Sequence, residues 1–279
     1  MRSHASPGQI RKCVVTYPGM TLVYERRGAG EALVLLHGIG DRWQTWLPVL
    51  DRLAAERDVI AVDLPGFGAS PPLPEGSAYD MADFVDALTG FFDELGLDRP
   101  HVAGNSLGGM LALELGRIGK ARSVTALSPA GFWNGPEIRY AGAALRFTRA
   151  MARRSPRALA ERTLRSRAGR AALTGLIYAR TADRDPEDLL AGSEALANAP
   201  GFVPTLRHGL NVRYHATIDV PVTIAWGTRD RLLLPWQAAR ANRAVPGVRG
   251  VWLKGCGHVP MGDDPAMVAG VILEATAGK

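Results

Sequence analysis

The sequence predicts an α/β protein: a parallel sheet with helices on both faces, interrupted by a helical insert. Three observations carry this. Up to residue 130, short apolar runs alternate with amphipathic helical patterns, the arrangement that covers a parallel sheet on both sides. Over residues 131–215 the alternation stops and no clear strand is present; it resumes at Val220. The chain has 279 residues, 47% of them hydrophobic and 22% charged, which is enough to bury a core without disulfides or a structural metal.

Residues 14–16 and 21–25 flank the turn Tyr17-Pro18-Gly19-Met20 and read as an antiparallel hairpin. Ala32-Leu33-Val34-Leu35-Leu36 is a continuous apolar run, as expected of a strand buried on both faces. Residues 46–56 place Trp46, Leu50, Leu53 and Ala54 at helical spacing, and 59–62 form the next strand, ending at Asp63-Leu64-Pro65-Gly66. Residues 81–95 carry Phe84, Val85, Leu88, Phe91, Phe92 and Leu95 on one helical face. A strand at 101–103, a helix at 109–118 and a strand at 123–127 complete this half. The insert, rich in Ala, Leu and Arg, reads as several helices. After it come a strand at 220–226, a helix at 236–245, a strand at 248–253 and a closing helix at 267–275.

Composition narrows the function classes. Cys13 and Cys256 are too few for a disulfide framework or a cysteine zinc site, and read as reduced thiols. Residues 1–12 have no apolar stretch of the secretory type, and no run is long enough to span a membrane; the expected location is the cytoplasm. The net charge is +6, and of the 33 basic residues only Lys12, Lys120, Lys254 and Lys279 are lysines. Residues 131–215 hold 14 arginines, no lysine and seven acids. Such a segment reads either as a solvated helical face or as a lid attracting anionic substrates, an acidic partner or a membrane surface. No nucleic-acid-binding motif accompanies it, and aromatics do not interleave with the basic run.

The chemistry-bearing residues sit at strand ends. Gly104-Asn105-Ser106-Leu107-Gly108-Gly109 follows a strand and opens a helix, fitting G-x-S-x-G. A serine on so sharp a turn takes a strained conformation, and glycines two before and two after it remove side chains that would clash. Its hydroxyl then stands at the positive end of the helix. Serine needs a base, and His258, in Gly255-Cys256-Gly257-His258-Val259-Pro260 after the last strand, is the best placed. His4 lies in the tail, His101 begins a strand, and His208 and His215 fall in the insert. The base needs an orienting carboxylate. Asp230, after the strand that ends near Trp226, suits that role, whereas Asp219 precedes its strand and Ser128-Pro129 offers no carboxylate. In His37-Gly38-Ile39-Gly40 the N–H of Ile39, together with that of Leu107, suits an oxyanion; His37 itself reads as a structural residue of the loop.

With these residues in the order Ser, Asp, His, the chain resembles the α/β-hydrolase fold enzymes that carry a helical cap. The resemblance rests on His37-Gly38-Ile39-Gly40, on Asp63-Leu64-Pro65-Gly66-Phe67-Gly68-Ala69-Ser70 and on the turn around Ser106. Gly227-Thr228-Arg229-Asp230 and Gly257-His258-Val259-Pro260 complete it, and together they span residues 20–275. It implies an eight-stranded, mostly parallel sheet, a Ser106–His258–Asp230 triad at its carboxyl edge, and a cap over the site. The implied division is a core of residues 1–130 and 216–279 with a cap of residues 131–215.

Capped relatives that dehalogenate alkanes or open epoxides use aspartate at the elbow, because their alkyl ester must form on a carboxylate. Ser106 therefore points to acyl transfer to water. The expected activity is hydrolysis of small or medium carboxylic esters, with no metal or organic cofactor and a small-molecule substrate. Carbon–carbon bond hydrolases of aromatic ring-cleavage products also resemble the chain around Asn105-Ser106, and the insert offers arginines for their acidic substrates. They differ after His37-Gly38, where their Ser/Gly-rich stretch is replaced by Ile39-Gly40-Asp41-Arg42-Trp43. A third reading, of another class, is a non-catalytic binding protein on the same fold. Asn105, Trp43 and Trp133 are the expected substrate-contacting residues, with Phe132 and Trp236 as further aromatics near the cap junction. Oligomeric state is not legible.

Overall fold

The computed structural model describes residues 12–17 and 19–277. The tail bearing His4, with the absence of a leader read there, and Pro18 of the first turn lie outside the described residues. Eight strands form one sheet: β1 (Lys12–Tyr17), β2 (Met20–Arg27), β3 (Ala32–Leu36), β4 (Asp58–Val62), β5 (His101–Asn105), β6 (Ser123–Leu127), β7 (Val222–Gly227) and β8 (Arg249–Leu253). Their order is β1-β2-β4-β3-β5-β6-β7-β8. β2 runs antiparallel to β1 and β4, and every other pair is parallel.

Side-chain alternation divides the interior into two layers. On β3, Val34 and Leu36 face one side and Leu33 and Leu35 the other, and β4 repeats this with Ile60/Val62 and Val59/Ala61. The first layer is covered by α2 (Met81–Glu94), α3 (Leu107–Arg117) and α9 (Gln237–Ala244). The second is covered by α1 (Leu47–Ala54) and α10 (Pro265–Thr276), through Leu50, Leu53, Val268 and Ile272. β3 to β7 are buried along almost their whole length because both faces of the sheet are covered there, whereas β8 at the edge is largely exposed. α1 begins later than its apolar spacing suggests: Trp43–Trp46 forms a 3₁₀ turn, and Pro48 sits in the first turn of the helix, where its missing N–H costs nothing.

Between β6 and β7 the chain forms α4 (Gly135–Arg154), α5 (Arg157–Leu164), α6 (Arg167–Thr174), α7 (Pro186–Asn198) and α8 (Phe202–Gly209). α4 starts in a capping box in which Asn134 and Glu137 each accept from the other's backbone N–H. The two ends of the insert are tied to each other, and its start is tied to α9. Tyr214 N donates to Gly131 O at 3.0 Å, Trp133 Nε1 to Val212 O at 3.1 Å, and Arg240 of α9 bonds Phe132 O and pairs with Glu137. Among the described residues, no helix is long and apolar enough to cross a membrane, and no cluster of His, Cys, Asp or Glu could hold a metal ion.

Candidate active site

The parallel strands deliver their carboxyl ends to one edge, and the strand order reverses where β3 lies between β4 and β5. Crevices at such a switch point are where open α/β sheets place their sites. His37–Gly40 follows β3, Ser106 follows β5, Asp230 follows β7 and His258 follows β8.

Ser106 has φ 56° and ψ −113°, a left-handed backbone on a non-glycine residue at the start of α3. Its neighbours explain why the turn survives. A Cβ on Gly104 would sit 2.1 Å from Gly108 O, and one on Gly108 would sit 2.2 Å from Leu36 O, so only glycine lets α3 close onto β3 and β5. The serine side chain makes no capping bond to α3, and Oγ has no hydrogen-bond partner among the described residues. A Cβ on Gly38 would lie 3.3 Å from Ser106 Cβ, which places the loop after β3 directly against the serine. The N–H of Leu107, first in α3, has no intrahelical acceptor. Neither it nor the N–H of Ile39 donates to another described group.

His258 Nδ1 lies 2.8 Å from Asp230 Oδ2, with both side chains buried. Oδ1 of Asp230 accepts from the N–H groups of Leu232 and Leu233 at 2.9 and 2.8 Å, so the carboxylate is fixed before the imidazole meets it. With Nδ1 turned to the carboxylate, Nε2 is the ring nitrogen left to face other groups. Asp219 is exposed in front of β7, as its position before the strand suggests.

His37 belongs to the loop. Its Nε2 accepts from Leu64 N at 3.0 Å while Nδ1 contacts Gly38 O at 2.7 Å, and burial lowers its pKa so that the ring stays neutral. Asp63 anchors the same region, accepting from Trp43 N and Ala69 N at 2.6 and 2.8 Å.

The remaining expected contacts lie inside the protein. Asn105 Nδ2 donates to Leu127 O at 3.0 Å and to His258 O at 2.9 Å, so its amide links the serine turn to the histidine loop. Trp43 packs in the layer under α1 and α10, and Trp133 packs in the opposite layer with Phe132. Trp236 is exposed and donates to Glu137. An apolar cleft of about 400 Å³ reaches Leu107 and Met110 from between α2 and α8, with Phe84, Thr205 and Val212 among its walls.

One residue escaped the sequence reading. Asp263 is buried and accepts from Ala179 N (3.0 Å) and Arg180 N (2.7 Å) of the insert, and from Gly257 N (2.7 Å) beside His258. Val259 N also donates to Ile177 O at 3.0 Å. The only signal was two consecutive acids before Pro265. The second, Asp264, caps α10, which leaves the first without a helical task.

A model described as "Alpha/beta hydrolase family" matches residues 33–271. A dihydrolipoyllysine-residue acetyltransferase component of an acetoin cleaving system from Cupriavidus necator is 32% identical over 247 residues, which is 86% of this chain but 62% of that protein's length. Epoxide hydrolase EphH of Mycobacterium tuberculosis is 33% identical over 201 residues, covering 69% of this chain and 91% of that one. A 2-hydroxy-6-oxo-2,4-heptadienoate hydrolase of Pseudomonas putida is 43% identical over 89 residues, 31% of this chain and 32% of that one. Solved structures superpose over 95–98% of the chain with TM-scores of 0.70–0.76 at 16–23% identity. They include esterases, epoxide hydrolases and a meta-cleavage product hydrolase, so the shared fold does not choose among reactions.

Proposed function

The chain belongs to the alpha/beta hydrolase family, and from that premise we propose that it is a serine hydrolase cleaving small or medium carboxylic esters through an acyl-enzyme on Ser106. The observation that carries this reading is the His258–Asp230 contact of 2.8 Å on a loop bonded to Asn105, the residue preceding a strained Ser106. His258 Nε2 takes the proton from Ser106 Oγ as Oγ attacks the acyl carbon. Asp230 holds the imidazole in the tautomer that leaves Nε2 unprotonated, then stabilises the imidazolium. The N–H groups of Ile39 and Leu107 receive the oxyanion, aided by the positive end of α3. His258 returns its proton to the leaving alcohol, and water activated by the same nitrogen releases the acid. The cleft beside Leu107 is the candidate acyl pocket, of a size suited to a short or medium chain. The helices α4–α8 form the cap, and Asn105 acts by positioning the His258 loop.

Epoxide opening, the activity named for one relative, is disfavoured by Ser106, because a serine cannot form and then release the alkyl ester that a carboxylate does. Carbon–carbon bond hydrolysis is the second reading, supported by the 43% identity to the heptadienoate hydrolase and by Asn105 before the nucleophile.

The test compares wild type with Ser106→Ala on p-nitrophenyl esters of rising chain length and on one ring-cleavage dienoate. Ester turnover that shows a chain-length optimum and falls by roughly 10⁴-fold or more in Ser106→Ala is the expected result. Preference for the dienoate establishes the second reading. Turnover that survives in a pure Ser106→Ala preparation rejects the nucleophile, and inertness toward both substrate classes favours a binding role.

A further inference from the structure

α4 and α8 enclose a groove of about 680 Å³ on the insert, apart from the cleft beside Leu107. Its walls carry Arg146, Arg149, Arg153 and Arg154 from α4 and Arg207 from α8. Arg146, Arg149 and Arg153 recur at spacings of three and four, which put them on one helical face, and Arg154 flanks it. Among the described residues, none of the five guanidinium groups has a carboxylate partner, whereas Arg157, Arg165, Arg180 and Arg184 of the same insert are all ion-paired. α8 contains no acid, and the single acid of α4, Glu137, is engaged with Arg240.

The floor is apolar. Phe202, Val203 and Leu206 line it, and Val203 is 48% exposed. Arg149 stacks over the Phe202 ring at 5.0 Å and reaches the carbonyls of Leu196 and Ala199. Burial, and then the charge of Arg153, pull Arg149 below its ordinary pKa. Phe202 also lies against the loop after β3, 3.3 Å from a Cβ built on Gly40.

We propose that this groove binds a soluble organic polyphosphate, its di- or triphosphate held by the arginines and its apolar or aromatic portion lying along Phe202, Val203 and Leu206. Guanidinium groups match phosphate oxygens in bidentate pairs, and five on two facing helices suit a multivalent anion better than a single carboxylate. A bilayer presents its phosphates across a plane, whereas these arginines line a groove between two helices. The assignment stands on the groove alone and does not depend on which reaction Ser106 performs.

The test is isothermal titration of the full chain with inorganic tripolyphosphate and with adenosine 5′-diphosphate at physiological salt. Saturable one-to-one binding is expected, weakened by about tenfold or more in the double variant Arg146→Gln/Arg207→Gln, which removes one contact from each wall. A control pair, Arg162→Gln/Arg167→Gln, takes the same charge from exposed sites elsewhere on the insert and should bind as wild type does. A second groove pair, Arg153→Gln/Arg207→Gln, serves if the first alters the melting curve. Absence of saturable binding to both probes, or equal weakening in the control pair, overturns the site. In a parallel flotation assay with phosphatidylglycerol vesicles, binding to vesicles without binding to either soluble probe would assign the arginines to a lipid surface and overturn the soluble ligand.

Discussion

Asp230 holds two backbone N–H groups with one oxygen and His258 with the other, so its role divides cleanly between anchoring and orienting. Asp230→Asn keeps an acceptor for Leu232 and Leu233 but turns an amide N–H₂ toward Nδ1, which favours the tautomer with the proton on Nε2. The fold should survive while kcat for ester hydrolysis drops by roughly 10³–10⁴-fold. Far-UV circular dichroism beside steady-state kinetics checks both halves, and a loss of under tenfold would remove Asp230 from the proposed triad. Cys256, two residues before His258, has no comparable part. Burial pushes its thiol up to about 11, so it stays protonated at neutral pH and acts as a small packing group. Titration of the native protein at pH 8 with a thiol-specific disulfide reagent should modify half-buried Cys13 first and leave Cys256 until the chain unfolds. Rapid modification of both would show that the loop beside His258 opens readily.

At the scale of elements, the strand–turn–helix around Ser106 rests on two glycines whose Cβ positions are already filled by backbone. Gly108→Ala places a methyl 2.2 Å from Leu36 O, an atom that cannot swing aside, so α3 must lift from β3. A destabilisation of about 3 kcal/mol is expected, with loss of ester hydrolysis even in the fraction that folds. Urea denaturation measures the first, and a midpoint equal to wild type would show that α3 has room the distances deny. This turn was legible in the sequence because its constraint is local: a strand, a serine between spaced glycines and a helix are all contiguous. The same holds for β3, whose unbroken apolar run marks burial on both faces. α3 begins two residues before its apolar pattern does, because Leu107 and Gly108 complete the turn geometrically and not through periodicity. The α4–α8 boundaries were illegible for the opposite reason. The insert has few buried positions to impose a period, and nothing in its sequence says that Arg146 and Arg207 face one groove.

At the scale of the whole molecule, the insert meets the loop bearing His258 through the buried carboxylate of Asp263 and the bond from Val259 N to Ile177 O. Asp263 gathers N–H groups from Ala179, Arg180 and Gly257, residues up to 84 positions away, and no local pattern announces such a junction. Because Gly257 adjoins His258, the seating of the insert is expected to influence the placement of the imidazole. Asp263→Asn retains one acceptor oxygen and brings an amide donor against backbone donors, so at least one N–H loses its partner inside the protein. The expected cost is about 2 kcal/mol, as for a buried hydrogen bond to a charged acceptor. A merely structural role would stop there. As a positioning residue, Asp263 should also lower kcat by about tenfold or more at temperatures where the variant is fully folded, with KM changing much less. Asp264→Asn provides the contrast. It weakens the cap of α10, donated to by Met267 N at 3.0 Å, for a cost of about 1 kcal/mol, and should leave kcat within about twofold. If both variants lose stability and neither loses kcat, the insert is attached near His258 without controlling it. If Asp263→Asn alone loses kcat, the insert and the loop bearing His258 work as one unit, held together by a buried carboxylate.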